Sequence, residues 1–163
     1  MYVNYREIYP DYRFKHNKRF FLPIFNLYLC PQYEQHDTMK KIQLTDTHKE
    51  KLFQIPLFRN LPLNIKESLL EKLDFVVYIA NKKEIVVTQG TPCNKLYVLL
   101  EGKLRTDIID GLGNEVMIEY IIAPRTFATP HLFSSDNTLP ATFTALEDSV
   151  ILMATKDSTF KVI

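Results

Sequence analysis

The run Lys95-Leu96-Tyr97-Val98-Leu99-Leu100-Glu101-Gly102-Lys103-Leu104-Arg105 decides how the rest of the chain is read. Residues 96–100 are uniformly apolar, which suits a strand covered on both faces. Glu101-Gly102 then turns the chain. Residues 103–109 alternate, with Leu104, Thr106 and Ile108 on one face and Arg105 and Asp107 on the other.

The same grammar extends outward. Residues 75–79 and 84–88 are rich in Val and Ile, with Asn81-Lys82-Lys83 between them and the turn Gln89-Gly90-Thr91-Pro92 after them. Asp110-Gly111-Leu112-Gly113-Asn114 reads as a hairpin turn from which 115–122 returns, and 142–146 and 149–154 are further strands. All four glycines fall in these turns. Short strands with turns at such spacing predict a mainly β fold, a sandwich, barrel or jelly roll.

Helices flank this pattern. Residues 44–58 read as helical, with Thr45 or Asp46 as cap, and Pro56 and Pro62 bracket a turn. Asn64 is a candidate N-cap for the helix to Leu73, with Glu67 completing a capping box. Ile65, Leu69, Leu70 and Leu73 give that helix one apolar face. At the end of the chain, Asp157 or Ser158 is a candidate cap for about one helical turn.

Composition narrows the function classes. The 163 residues are 46% hydrophobic and 24% charged, with a net charge of +1, which provides no global attraction to nucleic acid or to an anionic membrane. The two cysteines, Cys30 and Cys93, form no CxxC and read as reduced thiols of a cytoplasmic protein. The apolar run 20–30 is shorter than the ~20 residues a spanning helix needs. It also lacks the flanks of a signal peptide, so no membrane association is expected. Residues 1–38 hold six of the nine tyrosines and no glycine, without sustained periodicity. They are read as a poorly structured or mis-started extension, with Met39 the natural start of a domain over 39–163; the rival reading is an aromatic arm.

One stretch inside the β pattern begins a helix: Thr126-Phe127-Ala128-Thr129-Pro130-His131-Leu132-Phe133, followed after a polar run by Leu139-Pro140-Ala141-Thr142-Phe143-Thr144-Ala145. Thr129 as N-cap and Pro130 as the first helical residue predict a short helix between strands, where a small β-barrel can hold a ligand. Thr129 is expected to use its hydroxyl on its own helix. His131 has no partner histidine nearby, since His16, His36 and His48 lie far upstream, so no metal is expected. With no HxH and no nucleophile–base pair, an enzyme is not expected either. Asp107, Asp110 and Glu115 read as turn chemistry.

Residues of about 57–156 resemble the cyclic-nucleotide-binding β-roll, a double-stranded β-helix or jelly roll, of Crp/Fnr-type bacterial transcription regulators. The resemblance is carried by Leu57-Phe58-Arg59-Asn60-Leu61, Glu84-Ile85-Val86-Val87-Thr88-Gln89-Gly90, the run 95–105, and Ala141-Thr142-Phe143-Thr144-Ala145-Leu146-Glu147-Asp148-Ser149. It implies that 126–145 is the phosphate-binding cassette. There a Phe-Gly-Glu turn and a later Arg hold the cyclic phosphate and ribose.

The sequence departs from that pattern. Phe127 is kept, but Ala128 stands for the Gly, Thr129 for the Glu, and Leu139-Pro140-Ala141 for Arg-Ser-Ala. Arg125 and Lys83 stand for two turn glycines. Arg125 and Arg105 could supply the missing charge if they pointed inward, although arginines on sheets and loops are ordinarily solvated.

The expectation is an effector-sensing domain with a degenerate cassette, formed by Phe127, Ala128, Thr129, Pro130, His131, Leu139, Pro140, Ala141 and Thr142, that does not bind cAMP. No cofactor is expected. A ligand-free interaction or dimerisation module is the alternative. A cavity lined by Tyr97, Leu104 and Phe143 favours the sensor; a plugged one favours the module. The partner is a small-molecule effector or none, with a homodimer as one arrangement. The resemblance also implies a dimerisation helix and a helix-turn-helix beyond Ile163, so this chain alone is not expected to bind operator DNA.

Overall fold

In a computed structural model, which describes residues 39–162, the apolar run 96–100 lies inside strand β4 (Lys95–Glu101), and its five central residues are all buried. The expectations for residues 1–38 lie outside the described residues. Around β4 the order is β1 (Lys40–Ile42), α1 (Asp46–Gln54), α2 (Leu63–Lys72), β2 (Phe75–Ala80), β3 (Ile85–Val87), β4, β5 (Lys103–Ile109), β6 (Glu115–Ile122), β7 (Arg125–Phe127), α3 (Thr129–Phe133), β8 (Thr142–Ala145), β9 (Ser149–Thr155) and α4 (Lys156–Val162).

The strands form two antiparallel sheets, ordered β1-β2-β9-β4-β7 and β3-β8-β5-β6. The fold is therefore mainly β, an open roll rather than a closed barrel. β4 is covered on both faces because α1, α3 and α4 pack against it while its sheet also contributes to the core. That core joins Val77, Leu99, Ile151 and Leu152 of the first sheet with Val86, Leu104, Ile121 and Phe143 of the second. Each such side chain contributes ~1.5–3 kcal/mol by leaving water.

Three helix starts needed tertiary detail. For α1 the cap is Thr45: its hydroxyl accepts from the His48 N–H, and His48 Nδ1 accepts from the Thr45 N–H, both at 3.3 Å. The expected Asn64 cap and Glu67 capping box are not formed. α2 begins at Leu63 behind Pro62, whose φ of −58° already suits a helix, so Asn64 falls inside the first turn and no side chain caps it. At α4 the side chain serving the first turn is Thr155, the last residue of β9. Its hydroxyl accepts from the Ser158 N–H at 3.4 Å, displacing the Asp157 and Ser158 candidates.

The turns carry the rest. Gly102 (φ +87°) lies between β4 in one sheet and β5 in the other, where the chain crosses from sheet to sheet. Asp110 holds the β5–β6 hairpin: Oδ1 accepts from the N–H groups of Leu112 and Asn114, both at 2.8 Å. The β5–β6 register shifts between Thr106 and Asp107, with Ile118 of β6 the extra residue, and Asp107 is buried. Its carboxylate is met by Arg105 at 2.7 Å. Arg105 also reaches Glu115 at 3.2 Å, which accounts for two of the three acidic residues read as turn chemistry.

Candidate functional site

Phe127 anchors the site. It pairs with Tyr97 in the β4–β7 register and stacks on that ring, centroids 5.3 Å apart. On its other side it meets Phe143 of β8 at 5.0 Å.

The chain turns at Ala128, which has φ +57° and ψ 7°, the left-handed region. The resemblance placed glycines at Ala128 and at Lys83, and Lys83 is also left-handed, φ +74°. The backbone keeps the glycine geometry without the glycine. Because Ala128 makes the turn, α3 starts at Thr129, one residue before the expected start at Pro130. Thr129 is thus inside the first turn, and no side-chain hydrogen bond caps the helix. The expectation that Thr129 uses its hydroxyl on its own helix fails: Oγ1 is buried and has no partner.

Beside this turn lies a cavity of about 620 Å³. It is lined by Phe127, Ala128, Thr129, Pro130, His131, Pro140 and Ala141 of the predicted set, together with Phe143. Leu139 and Thr142 are not in its walls. Leu139 is 1% exposed, its side chain in the core. The Thr142 hydroxyl accepts from the Gln89 N–H at 3.0 Å, joining the strand to the preceding turn. Tyr97 and Leu104, expected in the lining, stand behind it: Tyr97 is stacked against Phe127, and Leu104 is fully buried. Burial also pushes the Tyr97 phenol far above its ordinary pKa, so this ring is a neutral wall.

Of the two arginines considered, Arg125 lines the cavity and Arg105 does not. Arg125 is about half exposed and its Nη1 lies 3.3 Å from Glu119 Oε2, itself in the lining. Sequence reasoning missed Glu119, Pro56, Thr106, Ile108, Ile118 and Ile121 of the lining. Thr106 had a signal, a hydroxyl in the inward row Leu104–Thr106–Ile108; Pro56, between helices, had none. Thr106 is 5% exposed and its Oγ1 is also without a partner. An unpaired buried hydroxyl costs about 1–3 kcal/mol. Among the described residues no group of three or more His, Cys, Asp or Glu is placed to hold a metal, and no helix is long and apolar enough to cross a membrane.

Residues 80–163 match the cyclic nucleotide-binding domain family. A transcriptional regulator from Thermotoga maritima is similar in structure, with 30% identity and a TM-score of 0.53 over 59% of this chain and 73% of that one. The sensor domain of the transcriptional regulator DNR from Pseudomonas aeruginosa aligns with 24% identity and a TM-score of 0.60, covering 71% of this chain and 75% of its own. The catabolite activator protein of Thermus thermophilus aligns with 20% identity and a TM-score of 0.59, over 66% of this chain and 49% of that chain. The latter two likenesses show the fold alone. No curated protein sequence matches the chain.

Proposed function

The chain belongs to the cyclic nucleotide-binding domain family, and on that premise we propose that it is the effector-sensing domain of a Crp/Fnr-type transcriptional regulator whose cassette no longer holds cAMP. One observation carries the second half of the reading. Leu139, standing where the family pattern has the phosphate arginine, is 1% exposed and packed in the core. Among the described residues of the lining the basic ones are Arg125 and His131, and Arg125 is already paired with Glu119. A charge-assisted hydrogen bond contributes ~1.5–3 kcal/mol, so losing the arginine weakens a cyclic nucleotide by roughly ten- to a hundredfold. Thr129 in place of the ribose carboxylate removes a further contact.

Calorimetric titration with cAMP and with cGMP tests this. No saturable heat at micromolar concentrations is expected, and a micromolar dissociation constant for either nucleotide overturns the reading.

A second reading, a ligand-free dimerisation module, is favoured by β6. This edge strand exposes Val116, Met117, Ile118, Tyr120 and Ile122, the kind of edge that pairs with another chain. Sedimentation equilibrium of the native chain and an Ile118→Lys, Ile122→Lys variant tests it. A dimer lost in the variant supports this reading, and a monomer at all concentrations removes it.

A further inference from the structure

Among the described residues, four strands lie at sheet edges: β1 and β7 in one sheet, β3 and β6 in the other. β1, β3 and β7 have three residues each. β6 has eight, seven of them exposed, among them the apolar Val116, Met117, Ile118, Tyr120 and Ile122. An edge presents unpaired N–H and C=O groups to any other strand, and short length is one way proteins blunt it. Three edges are blunted in that way and β6 is not. The bulge at Ile118 interrupts β6 at one position. The runs on either side, 115–117 and 119–122, are still as long as β1 and β7, which pair in this fold. Resting on the dimerisation reading above and deepening it, we propose that β6 pairs antiparallel with β6 of a second copy of this chain, joining two four-stranded sheets into one.

A second copy fits because the charges along β6 are self-complementary. The strand begins at Glu115 and ends at Ile122, whose register partner is Lys103. Lys103 lies over the Tyr120 ring, 4.4 Å from its centroid, and among the described residues it has no carboxylate partner. An antiparallel copy lays the acidic start of each strand along the basic end of the other, and two-fold symmetry makes that contact twice. Parallel pairing in register would set Glu115 beside Glu115, which is unfavourable.

Faces and charges then fix the register. Opposite residues of the β5–β6 ladder share a face, so Met117, Tyr120 and Ile122 lie on the side of Asp107, Arg105 and Lys103, whereas Val116 and Ile121 lie on the side of Ile108 and Leu104. Glu115 meets Arg105 and shares the first side. Placing Glu115, Val116 and Met117 opposite Ile122, Ile121 and Tyr120 of the second copy matches every pair by face. It sets apolar against apolar at two pairs and leaves no acid directly opposite another. Glu115 then lies across Ile122 from Lys103 of the second copy. Ile118, Glu119 and Ile121 also line the cavity, so the second copy stands behind one of its walls.

Sedimentation equilibrium and disulfide trapping test this on the full chain carrying Cys30→Ser. Opposite Cα atoms of an antiparallel pair are ~4.5–5.5 Å apart, within disulfide reach. The two copies of Met117 are three positions, ~10 Å, out of register. A mixture of Met117→Cys and Tyr120→Cys chains is therefore expected to trap about tenfold more covalent dimer than either alone. Both positions are exposed, so the substitutions leave the core intact. Lys103→Glu, which sets an acid near Glu115 of the other copy, is expected to raise the dimer dissociation constant roughly fivefold. A dimer in sedimentation without the 117–120 link overturns the β6 pairing and leaves the dimerisation reading standing. A dissociation constant unmoved by Lys103→Glu overturns the antiparallel charge match. A monomer at all concentrations overturns the inference together with the dimerisation reading.

Discussion

Leu139 is clamped to Thr91: the Leu139 N–H donates to the Thr91 carbonyl at 2.9 Å, while the Leu139 carbonyl accepts from the neighbouring Gly90 N–H at 2.8 Å. This two-way backbone lock joins the β3–β4 turn to the segment entering β8. It holds the Leu139 side chain in the core, away from the cavity that Pro140 and Ala141 reach.

Leu139→Arg is therefore not a simple restoration of a phosphate contact. With the backbone locked, the guanidinium starts in an apolar interior without a partner. A loss of about 3 kcal/mol or more is expected, read by urea denaturation. An Arg variant of native stability that binds cAMP would show that the segment can turn outward.

Ala128→Gly and Lys83→Gly are expected to stabilise the fold by about 0.5–1 kcal/mol each. Left-handed backbone costs a non-glycine residue ~1–2 kcal/mol, and the greater freedom of glycine in the unfolded chain returns ~0.4–1 kcal/mol of that. Denaturation midpoints check the sign, and a decrease at both positions would contradict the strain assigned to these turns.

Gly102→Ala should act in the opposite direction, with a loss of about 2 kcal/mol or more. Its φ is +87°, and an added Cβ would stand 2.9 Å from both the Asp148 carbonyl oxygen and Ser149 Cα, besides striking the Ser149 hydroxyl. Gly111→Ala, with open space around the new carbon, should stay within ~0.5 kcal/mol of the native protein. Equal effects at the two glycines would refute the steric argument.

Asp110 makes the hairpin pH-sensitive. Hydrogen bonds from the Asn114 side chain, then from the backbone N–H groups of Asn114 and Leu112, hold its carboxyl below the usual carboxylate pKa. A depressed folded pKa means a stabilisation fully present above the unfolded value, ~3.9. It is lost as pH falls through the lower folded value. The gap in melting temperature between the native chain and Asp110→Asn should be constant around neutrality and narrow as pH drops below about 4. A gap that widens on acidification would reverse the assignment.

Much of the roll was legible because its signals are local. Residues 103–109 and 115–122 were bounded as the structure has them, since alternation and the Asp110–Asn114 turn are read within a few residues. The three-residue strands β1 and β7 were not foreseen. Their pairing partners lie in β2 and β4, so a strand that short has no periodicity of its own. Asn64 and Thr129 failed as caps for a related reason. Cap residues compete, and Pro62 and Ala128 began the helices earlier by their backbone angles.

By itself, then, the sequence determined a β-roll with a short helix between strands, and placed Leu139 and Thr129 where the family resemblance leads one to expect an arginine and a glutamate. Those are matters of residue identity and near-neighbour pattern. Only the tertiary structure decided that Leu139 turns inward, that Arg125 is paired with Glu119, and that the hydroxyls of Thr106 and Thr129 are buried without partners. Burial and hydrogen-bond satisfaction depend on what other strands and helices bring alongside, and no local stretch of chain carries that information.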